Sequence, residues 1–225
     1  MSARAQLESL AAGVRSGELD PFDPRWHPKV VGHEAREAAV LVLFGTLDGA
    51  PMPSDRPLMP ADLDVLLLER AQTLGAHPGQ VAFPGGSREP QDANLVDCAL
   101  REAVEETGLD PAGVDVLAEL PALGLGASGF LVTPVLAWWA APSPVDVVDF
   151  AESARVFRTP IRDLLDPANR VTAVVQRRGA TFASPAFEVS GVLVWGFTAM
   201  VLDALLEGLG WSLPWDRERK LFVSP

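Results

Sequence analysis

Three glutamates recur at helical spacing near the middle of the chain, at Glu102, Glu105 and Glu106. Residues at positions i, i+3 and i+4 of a helix lie on one face, so we expect these three carboxylates, the glutamate cluster, to lie close together. Like charges at this spacing repel by roughly 0.2–0.5 kcal/mol per pair, and Arg101 is the one basic residue inside the helix that offsets them. An acidic helix face is most often only solvated. A hard divalent cation bound by carboxylate oxygens would explain why the acids stand together.

The helix that must position the glutamate cluster has recognisable ends. Asn94 is a good N-cap with Asp97 at the N3 position, and Gly108 is a typical C-terminal stop. Small and apolar residues at helical spacing predict the buried face. These residues are Val96, Ala99, Leu100, Ala103, Val104 and Thr107. The glutamates are then predicted to lie on a different, exposed face.

The stretch REAVEETGL at residues 101–109 resembles the second half of the Nudix box, G-x5-E-x7-R-E-U-x-E-E-x-G-U, in which U is aliphatic. The first half departs from that pattern. Counted from Gly86, Asp92 stands where a Glu is usual, and one extra residue precedes Arg101. The resemblance therefore assigns roles to the glutamate cluster and none to Asp92.

The segment before the box resembles a second signature, which belongs to the coenzyme A pyrophosphatase branch of Nudix hydrolases. That signature runs roughly L-L-T-x-R-[SA]-x3-R-x3-G-x3-F-P-G-G. The positions that match it are Leu67, Arg70, Ala71, Gly79, Phe83, Pro84, Gly85 and Gly86. Leu68 stands where Thr is usual, and Gly75 stands where Arg is usual. The missing Arg removes a side chain suited to binding phosphate through two parallel hydrogen bonds.

The resemblance also implies a cofactor and the residues that work with it. Mg²⁺ or Mn²⁺ would be held by the glutamate cluster. Glu105 or Glu152 would act as the general base, and Arg101 would orient the cluster through ion pairs. Glu152 belongs to this set because it stands just before residues 156–160, which resemble the V-F-x-x-P segment of the branch.

The substrate-binding residues implied by the resemblance are Arg70, Gln80, Phe83, Gly85 and Gly86. The two glycines allow the backbone to come close beneath the metal ions. Arg70 ends a predicted strand, where it would contact a phosphate. Because Gly75 replaces the usual Arg, we expect Arg70 or Arg88 to meet the 3′-phosphate of coenzyme A.

The resemblance implies an α/β fold, the Nudix α/β/α sandwich, with a mixed β-sheet between helices. Strands are predicted at residues 37–47, 64–70, 114–120, 130–139 and 155–159, a hairpin at 171–189, and helices at 2–16 and 196–209. The chain divides into an N-terminal helix and Pro-rich linker at 1–35, the hydrolase domain at 36–210, and a C-terminal tail at 211–225. We expect the tail to be partly disordered or packed on the surface.

Composition limits the partners and the compartment. The 225-residue chain carries a net charge of −12, which argues against a nucleic-acid binder and against an anionic membrane surface as partner. No apolar stretch is long and unbroken enough for a membrane helix. The single cysteine, Cys98, excludes an intrachain disulfide, fits a reducing cytoplasm and is predicted to be a packing residue. The family resemblance and the apolar helix at 196–209 suggest a homodimer.

Three functions stay open for a small-molecule diphosphate site of this kind. The first is a coenzyme A pyrophosphatase that releases 3′,5′-ADP and 4′-phosphopantetheine. The second is a Nudix hydrolase of another nucleoside diphosphate derivative, such as ADP-ribose or a dinucleotide, which the departures at Leu68 and Gly75 keep open. The third is a non-catalytic Nudix domain that binds a nucleotide. The intact glutamate cluster argues against this third function.

Overall fold

The computed structural model describes residues 1–27, 35–49, 53, 55–71, 79–125, 129–177 and 179–223. Within these ranges the α-helices are α1 (Ala3–Arg15), α2 (Leu95–Thr107), α3 (Ile161–Leu165) and α4 (Phe197–Gly208). No helix in the same ranges is long and apolar enough to cross a membrane. The β-strands are β1 (Arg36–Thr46), β2 (Leu63–Arg70), β3 (Val81–Ala82), β4 (Gly85–Ser87), β5 (Val114–Glu119), β6 (Leu123–Leu125), β7 (Phe130–Trp139), β8 (Ser153–Pro160), β9 (Arg170–Arg177), β10 (Ala180–Val189), β11 (Val192–Val194) and β12 (Lys220–Val223).

The larger sheet is mixed, as the sequence predicts. Its strand order in the described residues is β3-β2-β1-β7-β5, with β4 paired to β1, β6 to β7 and β8 to β2. β1 runs parallel to β7, whereas it pairs antiparallel with β2 near its end and with β4 near its start. The glycine pair of β4 therefore lies beside Ala39 and Val40 in the first half of β1.

Both faces of the larger sheet are covered, because successive side chains of a strand point to opposite faces. Leu41 and Leu43 of β1 lie in the hydrophobic layer that holds α2. Val42 and Phe44 lie in the opposite layer, with α1 and α4. A mixed sheet with helices on both faces confirms the predicted α/β/α sandwich.

Helix α4 is apolar because it is buried within the chain. Most of its side chains between residues 198 and 206 are buried in the layer that it shares with α1. The one buried acid among them, Asp203, forms an ion pair with the buried Arg170 of β9. Intramolecular packing thus explains the composition of this helix, and the prediction of a homodimer loses that support.

The C-terminal segment has more order than the sequence predicts. Trp211 is 7% exposed and packs edge-on against Phe44, with ring centroids 6.4 Å apart. The Trp211 Nε1–H donates to the Gln6 side chain at 2.9 Å. Further on, β12 runs parallel to β9 in a smaller sheet of order β11-β10-β9-β12. The division of the chain at 35 and 210 stays an interpretation of the sequence, since α1 and Trp211 share one core with the larger sheet.

Candidate active site

Helix α2 begins and ends as the sequence predicts. The Asn94 side chain accepts the Asp97 N–H at 2.8 Å, and Gly108 follows the last turn with a φ of 68°. The prediction of its buried face is wrong at two positions, since Val104 is 37% exposed and Glu106 is only 8% exposed. Glu106 is buried because α2 packs against β4 as well as β1.

The glycine pair brings backbone directly against the carboxylates of α2. The Gly85 N–H donates to Glu106 Oε2 at 2.9 Å. A Cβ atom at Gly86 would lie 2.5 Å from Cδ of Glu102, and a Cβ atom at Gly85 would lie 2.4 Å from the carbonyl oxygen of Ala39. Both distances are so short that a neighbour would have to move. At position 86 the neighbour is the end of the Glu102 side chain, and at position 85 it is the backbone of β1.

Burial raises the pKa of Glu106 to about 7, because it disfavours the ionised carboxylate. The Gly85 N–H and the positive charge of Arg70 lower this pKa, whereas the negative charges of Glu102 and Glu152 raise it. Among the residues assigned to the site, the four acids Glu102, Glu105, Glu106 and Glu152 outnumber the two cations Arg70 and Arg101, so the site holds more negative charge than its own cations neutralise. A bound cation would lower the pKa of Glu106 and favour its ionised form.

Arg101 joins three carboxylates with one guanidinium group. Its Nε and Nη2 donate to the two oxygens of Asp92 at 2.9 and 3.0 Å. Its Nη2 lies 3.0 Å from Glu102 Oε1, and its Nη1 donates to Glu105 Oε2 at 2.9 Å. The hydrogen bond to Asp92 is the main cause that holds the pKa of Arg101 above its ordinary value. This is the geometry expected of a side chain that orients the cluster.

Asp92, to which the family resemblance assigned no role, is the main partner of Arg101. Its buried side chain accepts the Glu89 N–H at 2.8 Å in addition to the Arg101 contacts. The Arg101 hydrogen bond lowers the pKa of Asp92 to about 2, so this carboxylate is ionised at neutral pH. The sequence did contain a signal for Asp92. Five residues separate it from Gly86, the same number that separates the first glycine from the acid in the Nudix box.

Strand pairing brings Arg70 and Glu152 to one edge of the site. β8 pairs with β2 so that Arg70 lies opposite Ser153. The Ala71 N–H donates to the carbonyl oxygen of Glu152 at 2.8 Å. Within the described ranges, the buried Nε of Arg70 makes no hydrogen bond. An oxygen atom of a ligand would satisfy this donor.

The remaining candidates for substrate binding are Phe83, Gln80 and Arg88, and each of them contacts other parts of the protein. Phe83 is 2% exposed and lies in the main core, so its side chain packs there and presents no surface to a substrate. Gln80 accepts the Arg70 N–H through its carbonyl oxygen at 3.0 Å. Arg88, a candidate for binding the 3′-phosphate, forms an ion pair with Glu37 in which Nη1 lies 2.8 Å from Oε2. The position of the missing Arg falls outside the described residues.

Cys98 is a packing residue, as the sequence predicts. It is fully buried in the layer between α2 and the sheet, and its Sγ lies 3.7 Å from the carbonyl oxygen of Gly86. Burial raises the pKa of the thiol to about 11, so it stays protonated and unreactive at neutral pH.

The donors fit a hard divalent cation in their chemistry, although their present arrangement is organised around Arg101. In the part of the chain that the structure describes, no group of three or more His, Cys, Asp or Glu side chains is arranged to hold a metal ion. Glu102 and Glu106 nevertheless present carboxylate oxygens beside the glycine pair, and burial raises the pKa of both. Carboxylate oxygens are the ligands that Mg²⁺ and Mn²⁺ prefer. Glu105 lies at the rim, with a side chain that is 58% exposed.

Comparison with known proteins finds a family model, curated relatives and solved structures that are similar to this chain. A family model described as "NUDIX domain" matches residues 56–126. The chain is 33% identical over 181 residues to the "Uncharacterized Nudix hydrolase NudL" of Photorhabdus laumondii, covering 80% of this chain and 88% of that protein. It is 34% identical over 197 residues to the protein of the same name from Citrobacter koseri, covering 85% of this chain and 95% of the relative. A C. elegans Ap4A hydrolase structure aligns with a TM-score of 0.43 at 21% identity, over 57% of this chain and 83% of that one.

Proposed function

This chain belongs to the Nudix hydrolase family, and on that premise we propose that it is a Mg²⁺- or Mn²⁺-dependent hydrolase of coenzyme A or its derivatives. Cleavage of the diphosphate bond would release 3′,5′-ADP and 4′-phosphopantetheine. The observation that best supports this reaction is the pair of carboxylates, Glu102 and Glu106, held against the glycine pair with an excess of negative charge. Such a site suits a divalent cation and, through it, an anionic diphosphate.

The proposed chemistry follows from the charges of the site. The glutamate cluster would hold a divalent cation, which would neutralise the charge of the diphosphate oxygens and lower the pKa of a bound water molecule. Glu105 or Glu152 would take the proton of the attacking water, since both are exposed residues at the edge of the site. Arg101 holds Glu105 in place. Arg70 has its charge near Glu106, and its buried Nε makes no hydrogen bond to any residue that the structure describes, so it would bind a diphosphate oxygen.

The signature at residues 67–86 supports the assignment to coenzyme A. Of its two departures, one affects packing and the other affects phosphate binding. Leu68 is 1% exposed in β2, so the change from Thr alters packing and leaves the substrate surface as it is. The loss of an Arg at Gly75 removes a cation for the 3′-phosphate. That loss favours a second candidate substrate, a nucleoside diphosphate derivative without this phosphate, such as ADP-ribose or a dinucleotide.

A substrate panel tests the assignment. Coenzyme A, dephospho-coenzyme A, ADP-ribose and a diadenosine polyphosphate would be incubated with Mg²⁺ or with Mn²⁺, and the products identified by mass. We expect coenzyme A to have the highest kcat/KM and to give 3′,5′-ADP and 4′-phosphopantetheine. Equal rates on coenzyme A and dephospho-coenzyme A, or a preference for ADP-ribose, would move the assignment to the second candidate.

We also propose that the protein is a homodimer of the reducing cytoplasm. The smaller sheet supports a dimer, because one of its faces forms a cluster separate from the main core, with Leu193, Trp195, Leu221 and Val223 only partly buried. The single buried Cys98 supports a reducing compartment. Light scattering at micromolar concentration should give twice the mass of the chain, and a monomer there would contradict the dimer.

A further inference from the structure

Two large apolar side chains are exposed on the loop that leads into the site. Phe150 is 75% exposed and Val148 is 57% exposed. Both lie in the loop at residues 141–152, which joins β7 to β8 and ends at Glu152. Single apolar side chains are common on protein surfaces, but these two lie two residues apart in sequence and close to a carboxylate of the site. We call Val148 and Phe150 the apolar patch.

The first part of this loop is fixed to helix α2. The Asp146 N–H donates to the carbonyl oxygen of Thr107 at 3.0 Å, and the Val148 N–H points to that of Glu106 at 3.5 Å. A Cβ atom at Gly108 would lie 3.6 Å from Cγ2 of Val148. The loop therefore crosses the C-terminal end of the helix that carries the glutamate cluster.

The last part of the loop is fixed to the end of β2, beside Arg70. The Asp149 carbonyl oxygen accepts the Glu152 N–H at 3.1 Å, and the Asp149 side chain accepts the Ala151 N–H at 2.7 Å. The next link is the bond from Ala71 N–H to the Glu152 carbonyl oxygen, beside Arg70. The loop is thus fixed on both sides of Phe150, to the C-terminal end of α2 and to the residue after β2, so the exposed Phe150 side chain stands on a segment that is held in place.

The charge around the apolar patch selects what it binds. The loop carries Asp146, Asp149 and Glu152 and has no Lys or Arg. Glu105 adds a further exposed carboxylate on the adjacent helix. A phosphate group would be repelled from this surface, whereas an uncharged apolar group would be bound by removal of its surface from water.

We propose that the apolar patch binds the uncharged arm of the substrate, the pantetheine arm with any acyl chain attached to it, and so makes the enzyme prefer acyl-coenzyme A to free coenzyme A. This proposal rests on the proposed function above. Of the two groups joined by the diphosphate of coenzyme A, the adenosine end carries the 3′-phosphate that the acids around the patch repel. The arm carries no ionised group, and an acyl chain adds apolar surface for Phe150 to cover.

The test compares free coenzyme A, hexanoyl-coenzyme A and ADP-ribose as substrates of the wild-type protein and of three variants. Wild type should favour hexanoyl-coenzyme A over coenzyme A in kcat/KM by roughly tenfold, as expected if the equivalent of about two methylene groups is buried. Phe150→Ser should bring this ratio close to one through a higher KM, with kcat nearly unchanged. Phe150→Leu, which keeps an apolar side chain, should retain most of the ratio. Phe222→Ser is the matched control, because Phe222 is 71% exposed on β12, away from the loop, and should keep the wild-type ratio.

Other outcomes distinguish a failure of this inference from a failure of the proposed function. If coenzyme A is hydrolysed but Phe150→Ser keeps the wild-type ratio, the apolar patch has no such role and the proposed function stands. If Phe150→Ser lowers kcat/KM equally for coenzyme A, hexanoyl-coenzyme A and ADP-ribose, the ring stacks on the adenine base, which overturns the assignment to the arm. If ADP-ribose alone is hydrolysed, both the proposed function and this inference are wrong.

Discussion

Asp92 and Arg101 determine how the glutamate cluster is presented. Arg101 contacts Glu102 and Glu105, and the two-oxygen contact from Asp92 fixes the guanidinium in its plane. We predict that Asp92→Asn folds normally but lowers kcat by roughly 10- to 100-fold, the usual effect of losing a residue that orients metal ligands.

Steady-state kinetics with Mg²⁺ would measure this effect. Asp97→Asn is the control, since Asp97 is an exposed acid in the first turn of the same helix, outside the Arg101 network. Near-normal turnover of Asp92→Asn would show that Arg101 needs no such partner.

The buried carboxyl of Glu106 gives the metal-free protein a pH-dependent stability. Its pKa is raised from 4.5 to about 7, so the protonated form is favoured in the fold. Ionisation therefore destabilises the fold progressively between these two values, by roughly 3 kcal/mol once the pH is above 7. Glu106→Gln has no charge to bury, so the variant should gain stability relative to wild type as the pH rises from about 5 to about 8.

Urea denaturation in the presence of a chelator would measure this gain. Glu105→Gln is the matched control on the same helix, because the Glu105 side chain is 58% exposed and its charge is solvated. A difference between Glu106→Gln and wild type that does not change with pH would contradict the burial of this charge.

At the scale of elements, the sequence predicts α2 well and its surroundings less well. The ends of α2 follow from Asn94 and Gly108, which are local signals. The burial of Glu106 depends on β4 packing beside the helix, and helical periodicity contains no information on that contact. The place of Glu152 depends on the pairing of β8 with β2, for which only the family resemblance gave a signal. The sequence thus predicted that Glu106 lies on one helix face with the other glutamates, but it did not predict that Glu106 is buried.

The two glycines of β4 should respond differently to the same substitution. In Gly86→Ala the new methyl group meets the Glu102 carboxylate, which can rotate away, so we predict a folded protein with strongly reduced turnover. In Gly85→Ala the methyl group meets the backbone of β1, so we predict a loss of stability of at least roughly 1–3 kcal/mol, as for overpacking. Thermal unfolding and kinetics of both variants separate the two effects. Equal losses of stability would contradict the distinction.

At the scale of the whole molecule, the segments outside residues 36–210 contribute to the main core. Trp211 packs between Phe44 and Gln6, which are distant in sequence, so no local pattern predicted its burial. We predict that Trp211→Ala lowers the free energy of unfolding by roughly 3–5 kcal/mol, the usual cost of removing a buried Trp. Leu213→Ala is the control, because Leu213 is 52% exposed, and it should change stability little. Equal effects in urea denaturation would mean that Trp211 does not belong to the core.

The whole chain carries a net charge of −12, yet its proposed substrate is an anion. The negative charges of Glu102 and Glu152 act on the buried Glu106, and a cation bound there would make binding of a diphosphate favourable. The central claim is therefore that these carboxylates, through a divalent cation, carry the hydrolysis.

The most direct test is turnover of coenzyme A by wild type and by Glu106→Gln at saturating Mg²⁺, with products identified by mass and folding checked by circular dichroism. The account predicts that wild type releases 3′,5′-ADP and 4′-phosphopantetheine, and that a folded Glu106→Gln is slower by roughly 100-fold or more, because a ligand charge is lost. A folded Glu106→Gln with near-normal turnover would contradict it.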